Sequence, residues 1–235
     1  VSGPRDDERI SGGLSRQLEL RRALLDGGAR HVGWKVGFGG AAARESLQLA
    51  APLVGFITDA TVIESGSVVD TTQWNRGFIE FEVAVHIGDD VGAGAPESAT
   101  LDAVAAVGPA IELADIDLPL EAARVGDILA GDIFHRGVVL GTPDPGRAGL
   151  DIEGLLARVV VDGEEWAATP DLQANTGAYP GIVSTIADTL AEQGEALRAG
   201  DVIITGAVFP PMPLTEGTEF DFALEPLDPI SVRIS

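Results

Sequence analysis

The chain has 235 residues, with Lys+Arg 15 against Asp+Glu 37, a formal net charge of −22 and 45% hydrophobic content. A field this negative repels phosphate backbones and anionic lipid, so neither nucleic acid nor a membrane surface is an expected partner. Cysteine is absent, which excludes disulfides, thiolate metal sites and a cysteine nucleophile and fits a cytoplasmic protein. Residues 1–8 are polar and acidic and do not read as a secretory leader. No apolar run is long enough for a membrane helix.

In chain order, residues 11–28 predict an amphipathic helix. Leu14, Leu18, Leu24 and Leu25 fall near one face, and Gly27-Gly28 supplies the stop. Residues 32–38 form a short apolar run ending in Gly39-Gly40, and residues 41–49 read as a brief helix. Residues 53–58 and 67–70 read as extended, and residues 78–87 as the clearest strand. Ser98 is expected to cap a helix running to Val107. A strand follows at 110–113, a helix at 120–130 and a strand at 138–140. Residues 157–167 predict a hairpin turning at Asp162-Gly163. Pro180-Gly181 opens a helix over 182–193, closed by Gly194. Residues 201–205, 219–224 and 230–234 read as strands. The expected class is α+β, mostly β, without regular βα alternation. Neither a GxGxxG turn after a strand nor a GxxxxGK[ST] loop occurs.

The segment Gly77-Phe78-Ile79-Glu80-Phe81-Glu82-Val83-Ala84-Val85-His86-Ile87 carries the chemistry. Alternation puts Ile79, Phe81, Val83, Val85 and Ile87 on one face. It puts Glu80 and Glu82 side by side on the other, with His86 as a neighbour. Glu112 lies in an apolar context, Pro109-Ala110-Ile111-Glu112-Leu113, where a bare charge must be paired, solvated or coordinated. Three carboxylates suit a hard divalent cation. From alternation alone the alternative is a solvated strand face, the commoner fate of such a pattern.

Four motifs occur in order: Gly33-Trp34-Lys35-Val36-Gly37, Ile79-Glu80-Phe81-Glu82, Pro109-Ala110-Ile111-Glu112 and Gly200-Asp201-Val202-Ile203-Ile204-Thr205-Gly206-Ala207. Together they resemble the fumarylacetoacetate hydrolase superfamily, in its branch of 2-keto-4-pentenoate hydratases and 4-oxalocrotonate decarboxylases. The resemblance runs from about residue 32 to the end. It implies a mixed β-roll with peripheral helices: residues 1–30 as an N-terminal helical arm, and residues 31–235 as the metal-binding catalytic domain. It implies Mg²⁺ or Mn²⁺, with Ca²⁺ as a substitute in crystals, held by Glu80, Glu82 and Glu112. The cation would chelate a 2-oxo acid and stabilise its enolate. Lys35 matches the family's proton-transfer lysine, and Thr205 and Gly206 match a substrate-contacting loop. Lys35 is also the only lysine among the basic residues. Arginine stays protonated and makes a poor shuttle, whereas burial can lower a lysine's pKa enough for proton exchange.

Departures from the family pattern bear on the substrate. Hydratases carry an aspartate in a P-D-F-G context; here the stretch is Pro52-Leu53-Val54-Gly55, with Leu53 in its place. In Asp132-Ile133-Phe134-His135-Arg136, His135 is a candidate acid or base, Arg136 a candidate carboxylate clamp, and Asp132 and Phe134 candidate substrate contacts. The change toward apolar residues implies a less polar or bulkier tail on the 2-oxo acid. The resemblance gives a hydratase-like lyase as the leading activity. A 4-oxalocrotonate-type decarboxylase, a carbon–carbon hydrolase or tautomerase, and a non-catalytic metal-binding partner subunit are the alternatives. It also implies a homo-oligomer and a possible partner enzyme of the same pathway.

Overall fold

The structure, a computed structural model, describes residues 7–235; residues 1–6, most of the polar N-terminal stretch, lie outside it. The strands are β1 (His31–Gly37), β2 (Leu53–Thr58), β3 (Val62–Ile63), β4 (Ser67–Val69), β5 (Gly77–Ile87), β6 (Val104–Asp115), β7 (His135–Leu140), β8 (Leu156–Val161), β9 (Glu164–Thr169), β10 (Val202–Ala207), β11 (Met212–Pro213), β12 (Glu219–Glu225) and β13 (Ile230–Ile234). The helices are α1 (Glu8–Asp26), α2 (Ala41–Leu47), α3 (Glu97–Asp102), α4 (Val125–Ala130) and α5 (Tyr179–Glu192). One eight-stranded sheet runs β2-β1-β10-β5-β6-β7-β3, with β11 beside β5, and a five-stranded sheet runs β4-β13-β12-β8-β9. Both sheets mix parallel and antiparallel pairs. The chain is thus a mostly β, mixed α+β fold with helices at its margins.

The apolar face of β5 packs between the sheets. The Phe81 ring lies 5.4 Å from Phe222 and 6.3 Å from Phe220, both on β12. Ile79, Val83 and Val85 are fully buried beside them. Each such side chain stabilises the fold by roughly 1.5–3 kcal/mol. A second cluster joins Leu14 of α1 to Leu53 of β2 and to Val125, Ile128 and Leu129 of α4. Gln17 of α1 also donates to Leu129 O at 2.9 Å. Helix α1 therefore lies against the body of the fold. None of the helices among the described residues is long and apolar enough to cross a membrane.

One contact fixes where the lysine strand sits. Gly33 pairs with Val202 across the parallel β1–β10 ladder, and a Cβ on Gly33 would stand 1.8 Å from Val202 O. Backbone cannot yield as a side chain does. Gly33→Ala is therefore expected to lower unfolding stability by about 3 kcal/mol, at the upper end of overpacking costs. Urea denaturation measures it; a loss below about 0.5 kcal/mol, the range of neutral surface changes, would mean that the ladder splays freely here.

The sequence reading goes wrong between residues 98 and 113. The α3 cap position is Pro96, Ser98 lies inside the helix, and the helix ends at Asp102. Residues from Val104 onward form the long strand β6, antiparallel to β5. A short apolar run does not separate helix from strand by period alone; the neighbouring strand decides. Pro109 stands within β6, where proline is normally a breaker. Its carbonyl accepts from Gly141 just beyond the end of β7. The side of β6 from which its amide is missing therefore faces a strand that has already stopped. The helix expected over 120–130 is shorter too: a 3₁₀ turn at Ala122–Arg124 leads into α4.

Candidate active site

Register brings the three glutamates together. Glu80 and Glu112 are direct cross-strand partners in the β5–β6 ladder, and Glu82 stands two residues along β5 on the same face. One carboxylate oxygen from each lies within 4.8 Å of the others. Glu82 is 0% and Glu112 2% exposed. The solvated-face alternative therefore fails: the eight-stranded sheet curls this face inward. Gly206 N–H donates to Glu82 Oε2 at 2.6 Å, while Glu82 Oε1 is buried without a hydrogen-bond partner. An orphaned carboxylate oxygen inside an all-oxygen cluster fits a hard divalent cation.

Lys35 projects from β1 into the same cluster. Its Nζ donates to Glu112 Oε1 and, at 3.3 Å, to Ile133 O. Burial pulls its pKa down, but Glu112, Asp132 and Glu80 outweigh burial and hold the ammonium above its ordinary range. The sequence argument expected the opposite shift; the surrounding carboxylates reverse it. Glu112 goes the other way from its neighbours. Burial raises its pKa, and Lys35 and His135 more than offset that, so it stays ionised. Glu80 is pushed up to about 7, first by burial and then by Glu112.

A strained turn completes the site. Asp132, Ile133 and Phe134 all lie in the left-handed region, with φ of 59°, 53° and 64°. Each such non-glycine residue costs roughly 1–2 kcal/mol, and such strain collects where function requires it. The turn aims the Ile133 carbonyl at Lys35. It also buries the Asp132 carboxyl, whose Oδ1 accepts from Phe56 N–H at 2.9 Å. Burial, chiefly, raises the Asp132 pKa to about 8. Gly55 leaves the space: a Cβ there would come within 2.8 Å of both Asp132 Oδ1 and Lys35 Cγ.

Comparison with known proteins agrees with this geometry. The family model described as fumarylacetoacetate (FAA) hydrolase C-terminal matches residues 29–235. The chain belongs to the fumarylacetoacetate hydrolase family. A 2-hydroxyhexa-2,4-dienoate hydratase of Comamonas testosteroni is 27% identical, over 93% of this chain and 82% of the relative. A 4-oxalocrotonate decarboxylase from a Pseudomonas species is 26% identical, over 90% of this chain and 88% of the relative. In fold, the chain is similar to the 4-oxalocrotonate decarboxylase of Pseudomonas putida G7, solved with magnesium and adipate. That likeness has a TM-score of 0.81 at 24% identity, covering 93% of this chain and 83% of the other.

Within this family fold the remaining candidate residues separate into two groups. Lys35, Glu80, Glu112, Phe134 and Gly206 line a cavity of about 650 Å³. The other candidates do not reach its wall. Leu53 sits in the apolar cluster with Leu14 and Leu129 and borders a different cavity. Thr205 is buried, its hydroxyl donating to Val83 O. Arg136 turns outward to Asp117 at 3.0 Å and Asp115 at 3.9 Å. His135 stands behind Glu112, with Nδ1 2.7 Å from Glu112 Oε1 and Nε2 3.0 Å from Thr61 Oγ1. Burial lowers its pKa. Facing an ionised carboxylate, Nδ1 is the donor to Glu112. Sequence reasoning missed Thr61, which is 74 residues away, and the cavity residues Phe38, Phe78 and Phe209. Only the Gly-Gly after Phe38 hinted at the last group.

His135 and Lys35 both bind Glu112 Oε1, which leaves Glu112 Oε2 outside these bonds. The geometry makes His135 a positioning residue for that carboxylate. His135→Ala is expected to weaken Mg²⁺ binding by about 10–100-fold, as loss of an outer-shell partner does. His135→Asn, which keeps a donor, should recover part of it. Calorimetric titration reads both; unchanged affinity in the alanine variant would remove His135 from this role.

Proposed function

We propose that the protein is a divalent-metal-dependent lyase that acts on a 2-oxo acid or its enol, with hydratase-type chemistry as the leading form. The observation that carries this reading is the Glu80–Glu82–Glu112 cluster, with Glu82 and Glu112 buried and Glu80 half-buried at a cavity wall beside the only lysine in the chain. Glu80, Glu82 and Glu112 would hold Mg²⁺ or Mn²⁺. A cation bound there supplies Lewis-acid polarisation of the substrate carbonyl. The protein's own groups supply the rest. Lys35 Nζ holds a proton at the cavity wall, fixed by Glu112 and the Ile133 carbonyl, and is the group placed to move it at the carbon next to the 2-oxo group. Asp132, whose pKa burial raises to about 8, adds to the hold on that proton once it ionises. The apolar walls exclude bulk water and strengthen each of these interactions.

The test is turnover with Mg²⁺ or Mn²⁺ present. Loss of 2-hydroxypenta-2,4-dienoate absorbance without CO₂ assigns the hydratase. CO₂ release from 4-oxalocrotonate assigns the decarboxylase. Absence of Mg²⁺ and Mn²⁺ binding by calorimetry, even with pyruvate or oxalate present, would overturn the metal-dependent reading. The intact carboxylate cluster and lysine speak against a non-catalytic partner subunit.

A further inference from the structure

The cavity has one polar end and an apolar remainder. Beyond Lys35, Glu80 and Glu112, its wall is set by Phe38, Phe78, Leu120, Ile133, Phe134 and Phe209. The two other polar side chains on it are already engaged with the main chain. Asn175 Nδ2 donates to Val208 O at 2.8 Å, and Thr176 Oγ1 donates to Gly177 O at 3.0 Å. Among the described residues no arginine lines it, and Arg136, the nearest in sequence to the Phe134 wall, is spent on two aspartates. Among the described residues Lys35 is the sole cationic side chain at the wall, and it is held by Glu112 at the polar end.

We propose that this cavity selects a 2-oxo monocarboxylate with an uncharged, apolar distal substituent and discriminates against a second, terminal carboxylate. The inference rests on the reading of the glutamate cluster as the cation site that anchors the 2-oxo acid. A tail carboxylate would have to shed its water against phenyl rings with no cation to meet it, which is far costlier than placing a methyl group there. The surplus of acidic residues adds a long-range bias against dianions. The wall is also rigidly set: Phe38, Ile133 and Phe134 are held at φ of 57°, 53° and 64°. A cavity lining made of residues in costly backbone states is built to hold a shape, not to reorganise around a charge. The first turn of α2, Ala41 to Ala43, borders the cavity too. Its main-chain amides would be a place to receive a tail carboxylate, and the diacid arm of the experiment tests them.

The experiment is calorimetric binding to the Mg²⁺-saturated protein of 2-oxobutanoate, 2-oxoheptanoate and 2-oxoadipate. Each buried methylene is worth about fourfold, so 2-oxoheptanoate should bind at least ~10-fold tighter than 2-oxobutanoate. 2-Oxoadipate should bind at least ~10-fold more weakly than 2-oxoheptanoate, the direction set by an unpaired buried charge. Leu120→Arg, at the exposed rim, should narrow or invert the ratio between the last two. Equal or tighter binding of 2-oxoadipate to the unaltered protein overturns the inference while leaving the 2-oxo acid reading in place. A flat series across the two monoacids does the same. Failure of all three to bind with Mg²⁺ present overturns both.

Discussion

Lys35→Met should reduce turnover by about 10²–10⁴-fold, the range of a positioned proton-transfer group, and should destabilise the metal-free protein by about 3–5 kcal/mol. Both effects come from one ammonium. Lys35 is 2% exposed and bonded to Glu112 amid Glu80 and Asp132. Methionine keeps the length and removes the charge, leaving the buried Glu112 carboxylate with only its hydrogen bond to His135. Added Mg²⁺ should then raise the melting temperature of Lys35→Met by more than it raises that of the unaltered protein, because the ion replaces the lost charge as well as binding. Lys35→Arg separates the two roles. Its charge should restore part of the metal-free stability, but a guanidinium does not give up its proton, so turnover should stay low. A Lys35→Met protein as stable as the original in the presence of chelator would mean that the cluster carries far less charge than its geometry implies. Unchanged turnover would remove Lys35 from the chemistry.

The raised pKa of Lys35 is compatible with that role. The same carboxylates that hold its proton are the ones a divalent cation would neutralise. A cation held by Glu80, Glu82 and Glu112 would offset the charges that hold the Lys35 proton and so lower the lysine's pKa.

What the sequence made legible follows from the physics of each element. Period-two alternation located β5 and both faces of it, and Asp162-Gly163 located a hairpin turn, because these signals are local. The three glutamates were legible as candidates, but the burial of Glu82 and Glu112 was not. Alternation predicts two faces and cannot say that a sheet will curl one of them inward. The role of His135 was also out of reach. Its partners Glu112 and Thr61 come from β6 and the turn before β3, and no local pattern links them. Leu53 was placed at the substrate by motif position, yet its side chain joins the cluster under α1 and α4, and a different residue, Phe134, faces the cavity. The strained turn at residues 132–134 has no glycine to announce it, so its left-handed backbone was invisible until its neighbours were in place.

Metal affinity should rise steeply with pH up to and beyond about 7. Burial is the largest cause of the shifts in both β5 glutamates. It brings Glu80 to about 7, with Glu112 adding to it and Lys35 opposing. Glu82 is raised well above the ordinary carboxylate range by burial, Glu112 and Glu80, with the Gly206 amide and Lys35 opposing. At pH 6 Glu80 therefore carries a proton in the metal-free protein, Glu82 is shifted the same way, and each must lose any proton it holds to ligate a cation. As pH is lowered, affinity should then fall about tenfold per pH unit for each proton that must be released, up to ~100-fold per unit where both are protonated. The sign for stability is the reverse. A carboxyl whose folded-state pKa is raised holds a proton that the unfolded chain, near pKa 4.3, has already released. These two groups therefore favour folding most below that pH, and their contribution declines as pH rises through 7. The metal-free protein should lose stability over the interval in which Mg²⁺ binding strengthens, so the melting difference between Mg²⁺ and chelator should widen from pH 5.5 to 8. Glu82→Gln should bind Mg²⁺ more weakly and with a shallower pH slope, since one of the two protons is gone. Calorimetry in buffers of different ionisation enthalpy counts the protons directly. Release of none at pH 6, with an affinity flat to pH 8, would mean that the cluster is already ionised and that its charge is compensated by something other than Lys35 and His135.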